Sequence, residues 1–229
     1  MRTKEKELKD FGLKLVKRDA PPPKQKEVTE DLFGIQGELD FSLMMGEPMY
    51  HPRTVSYTVK TYEHDPEWFR LLKTRLEKWI LDGREAPIYD DYDPGLYFKG
   101  KGTSVDLNVD DASGEASYTL NFKCYPFRIS ELKEGHDNWD DFNFYLDYSQ
   151  DVEFDIEGEK EITLMNNGSH SVAPKIITDS NFILTKGNQV YEVTPGTNQN
   201  IDFRLMIGDN AISITGTGHI EFEFYKELI

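Results

Sequence analysis

The residues of this chain that could do chemistry are clusters of carboxylates, one thiol, five imidazoles and a glycine-rich run, and each falls short of the pattern its chemistry requires. Asp90-Asp91-Tyr92-Asp93-Pro94-Gly95 gathers three carboxylates of the kind calcium takes. A calcium loop would need a Glu or Asp at its twelfth position, but counting from Asp90 reaches Lys101 and from Asp91 reaches Gly102. The segment reads as a solvated turn. Gly95 to Gly102 nearly fits the phosphate-cradling G-x-x-x-x-G-K-[ST] pattern, but its last position is Gly102 and its interior is apolar. The alternating Val105-Asp106-Leu107-Asn108-Val109 follows where a helix should begin. Cys124 sits in a strand pattern between Phe122 and Tyr125, a place for core packing rather than for a thiolate. His51, His64, His136, His170 and His219 form no i,i+4 pair and no cluster with Cys124. Gly168-Ser169-His170 is a turn with no G-x-S-x-G elbow around it. Glu153, Asp155, Glu157, Glu159 and Glu161 alternate, as the wet face of a strand does. No residue is therefore assigned a catalytic, cofactor or metal-binding role, and the chain reads as not an enzyme.

The elements that would position any site are a single helix and many strands. Asp65 is a good N-cap, Pro66 suits the first helical position, and Gly83 can take a left-handed conformation beyond the end, so a helix is expected over 65–82. At about 100° per residue, Trp68, Phe69, Leu72, Leu76, Trp79 and Ile80 share an arc of roughly 120°, with Arg70, Lys73, Glu77 and Lys78 outside it. That stripe must lie on a sheet. Before it, strands are expected from Phe11, over Val28 to Phe33, Leu39 to Leu43 and Arg53 to Tyr62, the last with Val55, Tyr57, Val59 and Thr61 on one side. Ala20-Pro21-Pro22-Pro23 forces an extended spacer or the stem of a projecting loop. After the helix, a strand is expected from Ala86, and residues 103–111 and 115–126 read as a hairpin.

Residues 129–143 lose all period, and the domain boundary is placed there: 1–128 as an α+β domain with the helix on a β-sheet or barrel, 129–229 as an antiparallel β-sandwich, mainly β overall. Strands are expected at 144–148, 152–157, 160–165, 174–179, 181–186, 189–194, 200–206, 211–215 and 218–225. The net charge of -16 divides unevenly: residues 1–130 hold 20 Lys/Arg against 23 Asp/Glu, net -3, and residues 131–229 hold 6 against 19, net -13. So acidic a second half suits neither a phosphate backbone nor an anionic membrane, so no specific nucleic acid and no membrane are expected as partners. With one Cys and no secretory or membrane-spanning pattern, the chain reads as one made for a reducing cytosol.

Four stretches of the first half resemble the distal tail proteins of long-tailed bacteriophages that infect Gram-positive bacteria. They are Asp10-Phe11-Gly12-Leu13; Gly37-Glu38-Leu39-Asp40-Phe41 followed by Tyr50-His51-Pro52-Arg53; the lone helix with its W-x-x-x-L-x-x-W-like face; and Thr119 to Pro126 with its F-x-C-x-P strand end. In the second half, Asn166-Asn167-Gly168 through Pro174 to Gly208-Asp209-Asn210-Ala211-Ile212-Ser213-Ile214 resembles the galectin-like sandwich that follows in such proteins. The resemblance implies a non-enzymatic hub of six copies in a ring at the distal end of the tail. Its implied partners are its own copies, the major tail tube protein above, and a tail-tip or tail-associated lysin-type protein with receptor-binding or baseplate proteins below. It would reside in the virion, assembled in the host bacterial cytoplasm. The alternative is a carbohydrate-binding module or adhesin contacting cell-wall glycans, with Trp139 as its stacking residue.

Overall fold

In the computed structural model of the chain, which describes residues 1–34, 36–44, 46–110, 114–136 and 148–229, two compact units are found. One comprises Met1–Arg128 with Ile229, the other Ile129–Leu228.

The first unit is built around α1 (Pro66–Ile80). Asp65 caps it, its side chain accepting from the Glu67 amide at 2.9 Å, and Pro66 opens it. Phe69, Leu72, Leu76, Trp79 and Ile80 are buried, while Trp68 at the edge of the arc is only half-buried. The helix stops at Ile80 with Leu81 as its cap, two residues short of the expected 82; Gly83 does adopt positive φ, beyond the cap. The sheet of this unit runs, by neighbour, through β2 (Lys6–Glu7), β1 (Arg2–Thr3), β7 (Ala86–Tyr89), β8 (Leu96–Asp110), β9 (Glu115–Ser130), β6 (Arg53–Thr61) and β3 (Leu13–Asp19). Its core face comes from strict alternation: Val55, Tyr57 and Val59 on β6, and Ala116, Tyr118, Leu120, Phe122 and Cys124 on β9. β6 pairs antiparallel with β9 in a register that sets Val55 against Phe122 and Tyr57 against Leu120. The polar tips of core aromatics find backbone partners, Tyr118 Oη donating to the Phe69 carbonyl at 3.0 Å and Trp79 Nε1 to the Thr3 carbonyl at 3.2 Å. Phe11 stacks on Trp79 with ring centroids 4.8 Å apart. It does so from a 3₁₀ turn (Leu8–Phe11), so the strand expected from Phe11 starts at Leu13, after the left-handed Gly12.

β8 starts at Leu96, seven residues before the 103 at which the first strand of the hairpin was expected. Gly102 is needed for packing: a Cβ there would stand 2.4 Å from the Ile80 carbonyl oxygen, so glycine lets the strand pass under the end of the helix.

Residues 24–51 leave this sheet as a separate arm. The expected strands over Val28 to Phe33 and Leu39 to Leu43 shrink to a two-residue ladder, β4 (Thr29–Glu30) with β5 (Leu39–Asp40). Val28, Leu32, Phe33 and Leu43 stay exposed, so no burial draws the backbone into a longer ladder. The stem is held by a Gln25–Tyr50 bridge and by Lys26 N–H to the Met49 carbonyl at 2.7 Å.

The second unit hangs on one long antiparallel ribbon, β10 (Glu153–Asn166) with β15 (Gly208–Glu223), paired from Glu153–Glu221 to Asn166–Gly208. The pairs 152–157 with 160–165, and 211–215 with 218–225, were expected as separate strands. Gly158 and Gly216 face each other in the ladder, which continues through them. On its other edge, β15 pairs over Ser213–Gly216 with β12 (Phe182–Lys186), itself paired with β13 (Gln189–Val193). Over Ile220–Glu223 it pairs with β11 (Lys175–Thr178), which carries β14 (Gly196–Asn198). At the changeover a Cβ on Gly216 would meet the Phe182 ring at 2.4 Å. Side chains of all these parts, among them Ile156, Leu164, Ile176, Phe182, Leu184, Ile214 and Phe222, enclose one core. Residues 200–206 are a loop bridging Leu205 to Val172 rather than a strand, and the strand expected at 144–148 lies, but for Tyr148, outside the described residues.

Replacing Trp79 by Ala is expected to lower stability by about 3–5 kcal/mol and Lys78 by Ala by close to nothing, since one side chain is buried beside Phe11 and its neighbour exposed. Two thermal melting curves make the comparison, and equal effects would contradict this helix orientation.

Candidate functional site

Two features of the first unit lie outside ordinary core packing: the arm, and a group of arginines at its foot. On the arm Val28, Leu32, Phe33, Leu43, Met44 and Met49 are all exposed, Phe33 completely. Together they expose more large apolar surface on one element than a monomer ordinarily keeps.

The arginines arise from the same alternation that builds the core. One step back from Val55, Arg53 lies in the inward file of β6, and Arg128 follows the file of Phe122 and Cys124 on β9. Arg18 reaches in from β3. Asp90, at the end of β7, has a buried side chain that accepts from Tyr57 Oη at 2.6 Å, Arg18 Nη1 at 3.2 Å and the Tyr92 amide at 2.9 Å. Asp93 accepts from Arg18 and, at 3.0 Å, pairs with Arg128. Burial, with the bond to Asp90, pushes the Tyr57 hydroxyl far above its ordinary range, so it stays a donor. Arg53, 7 % exposed, has its guanidinium carbon 4.7 Å from the centre of the Phe98 ring. Burial, reinforced by the charges of Arg128 and Arg18, pulls it down to about 10, which leaves it cationic at neutral pH.

The acidic loop read as a solvated turn is thus half right. Asp91 is exposed, but Asp90 and Asp93 are turned inward onto guanidinium groups. The clue available in sequence was the position of Arg53 in the alternation; nothing local in Asp90 to Asp93 could name cations from β3 and β9. The other residues weighed for chemistry are dispersed. Cys124 is buried on β9, its thiol pushed up to about 12 by burial, so it is not a thiolate at neutral pH. The glycine-rich run from Gly95 lies mostly in β8. His170 faces Glu227 at 2.5 Å in a loop. Asn166 and Asn210, in the two stretches likened to a galectin-like sandwich, are buried and tie down the Leu205, Leu164 and Met206 carbonyls. Glu153, Asp155, Glu157, Glu159 and Glu161 are all exposed on β10, and Asp155 bonds His219 at 3.0 Å across the ladder. Trp139 lies outside the described residues. Among the described residues no group of three or more His, Cys, Asp or Glu side chains could hold a metal ion, and no helix is long and apolar enough to cross a membrane.

Asp90→Ala is expected to cost about 1–3 kcal/mol, by leaving the buried Tyr57 hydroxyl without its acceptor while Arg18 keeps Asp93, whereas Asp91→Ala next to it is near neutral; denaturant unfolding of both variants measures the difference. On the second unit, the bond to Asp155 raises the His219 pKa above 6.5. A raised histidine pKa favours the folded state below about pH 6.5, and the contribution fades as pH climbs through the folded value. NMR titration should show the His219 value falling in Asp155→Asn, and no change there would contradict the pairing.

Neither protein-family models nor curated proteins give a match to this chain. Solved structures do. The Dit protein of phage SPP1, described as a paradigm of the hub adsorption apparatus of Gram-positive-infecting phages, matches over 99% of this chain and 98% of its own, with a TM-score of 0.68 and 13% identity. The phage p2 baseplate in its activated conformation matches over 96% of this chain and 92% of its own at a TM-score of 0.36 and 10% identity, too low to bear on the reading. The likeness drawn from Asp10 to Leu13, from Tyr50 to Arg53 and from the lone helix therefore holds at the level of fold: mainly β, with one α-helix among the described residues, this chain has the fold of the SPP1 Dit protein.

Proposed function

We propose that the protein is a non-enzymatic hub of a phage tail, a ring of six copies at the distal end of the tail tube that carries the tail-tip or baseplate proteins. The observation that supports this most is the agreement of the whole chain, both units included, with the SPP1 Dit fold. The exposed apolar arm gives the reading a mechanical means. A ring needs the same head-to-tail contact repeated until it closes, and an arm projecting from one copy can bury Leu32, Phe33 and Met44 on the next. The distribution of charge agrees: a first half of net -3 can meet its copies, while a second half of net -13 would repel them at close range and is better placed outward. In this reading residues 1–128 form the ring and residues 129–229 are the outer, galectin-like domain, and the neighbours are the tube protein on one side and the tail-tip lysin-type, receptor-binding or baseplate proteins on the other.

Light scattering on the concentrated chain is expected to give six times the 26.5 kDa of one copy, and Phe33→Asp with Met44→Asp to return it toward one copy with little change in melting temperature. A wild-type chain that stays at the mass of one copy and binds cell-wall glycans would instead favour a carbohydrate-binding module.

A further inference from the structure

Phe11 and Trp79, stacked on each other, line a groove of about 570 Å³ together with Lys6, Asp10, Arg75 and Lys78. The four charged residues are exposed, and with the Asp10 carboxylate counted the lining still carries two positive charges. Asp10 accepts from the Glu7 amide at 2.8 Å, and among the described residues no ion pair engages Lys6, Asp10, Arg75 or Lys78. The rim leaves the balance unchanged. Glu7 is paired with Lys9 and Glu77 with Lys73, and the charge of Glu5 offsets that of the Lys4–Asp82–Arg84 group. Aromatic rings restrain two of the cations. The Arg75 guanidinium carbon is 5.4 Å from the centre of the Phe11 ring and 5.9 Å from that of Trp68, and Lys6 Nζ is 5.8 Å from Phe11. Long side chains held in this way lose less freedom when an anion arrives.

The complementary surface is on the second unit. Along the outward face of β10, Glu157, Glu159 and Glu161 are exposed and stand opposite Thr217, Thr215 and Ser213 of β15, so no cation faces them across the ladder. Glu159 accepts from Ser213 Oγ at 3.1 Å, and among the described residues none of the three has an ion pair. Beyond β15 the same face continues through Ile183 and Thr185 of β12 to Val190 and Glu192 of β13, again without a cation. Lys160 belongs to the opposite file of β10, its Nζ 5.3 Å from the centre of the Phe154 ring. Alternate side chains of a strand are roughly 6.5 Å apart, and cations three positions apart on a helix, as Arg75 and Lys78 are, stand about 5–6 Å apart at Cβ. One row of carboxylates can therefore meet both cations at once.

We propose that the groove of Lys6, Arg75 and Lys78 is an interaction surface that receives the Glu157–Glu161 row of a second copy of this chain. The proposal rests on the hub reading, in which copies meet, and adds a contact to it. Groove and row are different patches, so the contact is head-to-tail, the kind that closes into a ring. Each copy carries a net charge of -16 and repels another at a distance. With a Debye length of about 8 Å at physiological salt, the local faces decide what happens on contact. The pairs remain partly solvated, so several weak ones act together and the contact weakens as salt rises.

The test is a charge-reversal cycle on the full chain, read by light scattering over a range of protein concentrations. One variant combines Arg75→Glu with Lys78→Glu, a second combines Glu157→Lys with Glu161→Lys, and a third carries all four changes. All four positions are exposed, and melting curves check that each variant folds. Either reversal alone is expected to raise the concentration needed for assembly about tenfold, as is added chloride on the wild-type chain, and the fourfold variant to recover most of that loss. Assembly at the wild-type concentration in both single-face variants overturns the pairing and leaves the ring standing. Losses that the fourfold variant does not recover overturn it too, since the groove and the row then have different partners. The same holds for reversals that change the melting temperature but not the mass. Polyglutamate that binds the groove of the wild-type chain without lowering the assembled mass would assign the groove to an acidic segment of another protein, against this proposal. Recovery by the fourfold variant at a mass other than six copies upholds the contact and counts against the six-membered ring. A wild-type chain of one-copy mass at every concentration overturns both.

Discussion

The first unit depends on the burial of one helical stripe. Phe69, Leu72, Leu76, Trp79 and Ile80 are covered by the inward files of β6 and β9, and at 1.5–3 kcal/mol for each large side chain this is on the order of 10 kcal/mol, an upper bound because an unfolded chain already hides some apolar surface. Everything else in the unit accommodates that contact. Gly102 is bare so that β8 can pass the Ile80 carbonyl, the N-terminal 3₁₀ turn exists to lay Phe11 on Trp79, and Tyr118 reaches the Phe69 carbonyl from the sheet below. A helix carries its apolar residues on one side only, so it specifies a single partner face and leaves the opposite edge of the sheet free to hold polar groups.

That edge is where the arginines gather. The inward alternation that puts Tyr57 in the core puts Arg53 at the rim of the same file, and the charge is kept there by surrounding it with Phe98, the Pro21 carbonyl and the Asp93 carboxylate rather than by exposing it. The proline spacer and the strand of Arg53 lie at the base of the arm, so the polar group and the apolar arm share one foundation. The stem of the arm is fastened above that base by the Gln25–Tyr50 bridge and the Lys26 bond to the Met49 carbonyl, in addition to the two-residue ladder farther out.

The second unit reaches order by a different route, with long-range ladder pairing in place of a helix. β10 pairs with β15 over its full length, which turns Ile156, Ile162 and Leu164 inward and Glu153, Asp155, Glu157, Glu159 and Glu161 outward in a single register. Slipping that register by one residue would place the carboxylates in the core, so the acidic face also protects the pairing. The buried Asn166 and Asn210 fasten the loops at one end of this ribbon, serving carbonyl groups that the ladder does not reach.

The sequence by itself determined what depends on near neighbours in the chain. The cap at Asp65, the helical stripe, the alternation from Val55 to Thr61, the extended prolines and the wet face of β10 are all set by residues a few positions apart, where periodicity and backbone chemistry act directly. The resemblance to distal tail proteins could be seen for the same reason, since its motifs are short and local. Only the tertiary structure decided the rest. Whether a glycine ends a strand or lets it pass under a helix depends on what stands opposite, which for Gly102 is Ile80 and for Gly216 is Phe182. Likewise Asp90 and Asp93 meet Arg18 across more than 70 positions of chain, and Arg53 finds Phe98 and Arg128 from other strands; such partners are brought together by the sheet's order, which no local pattern encodes.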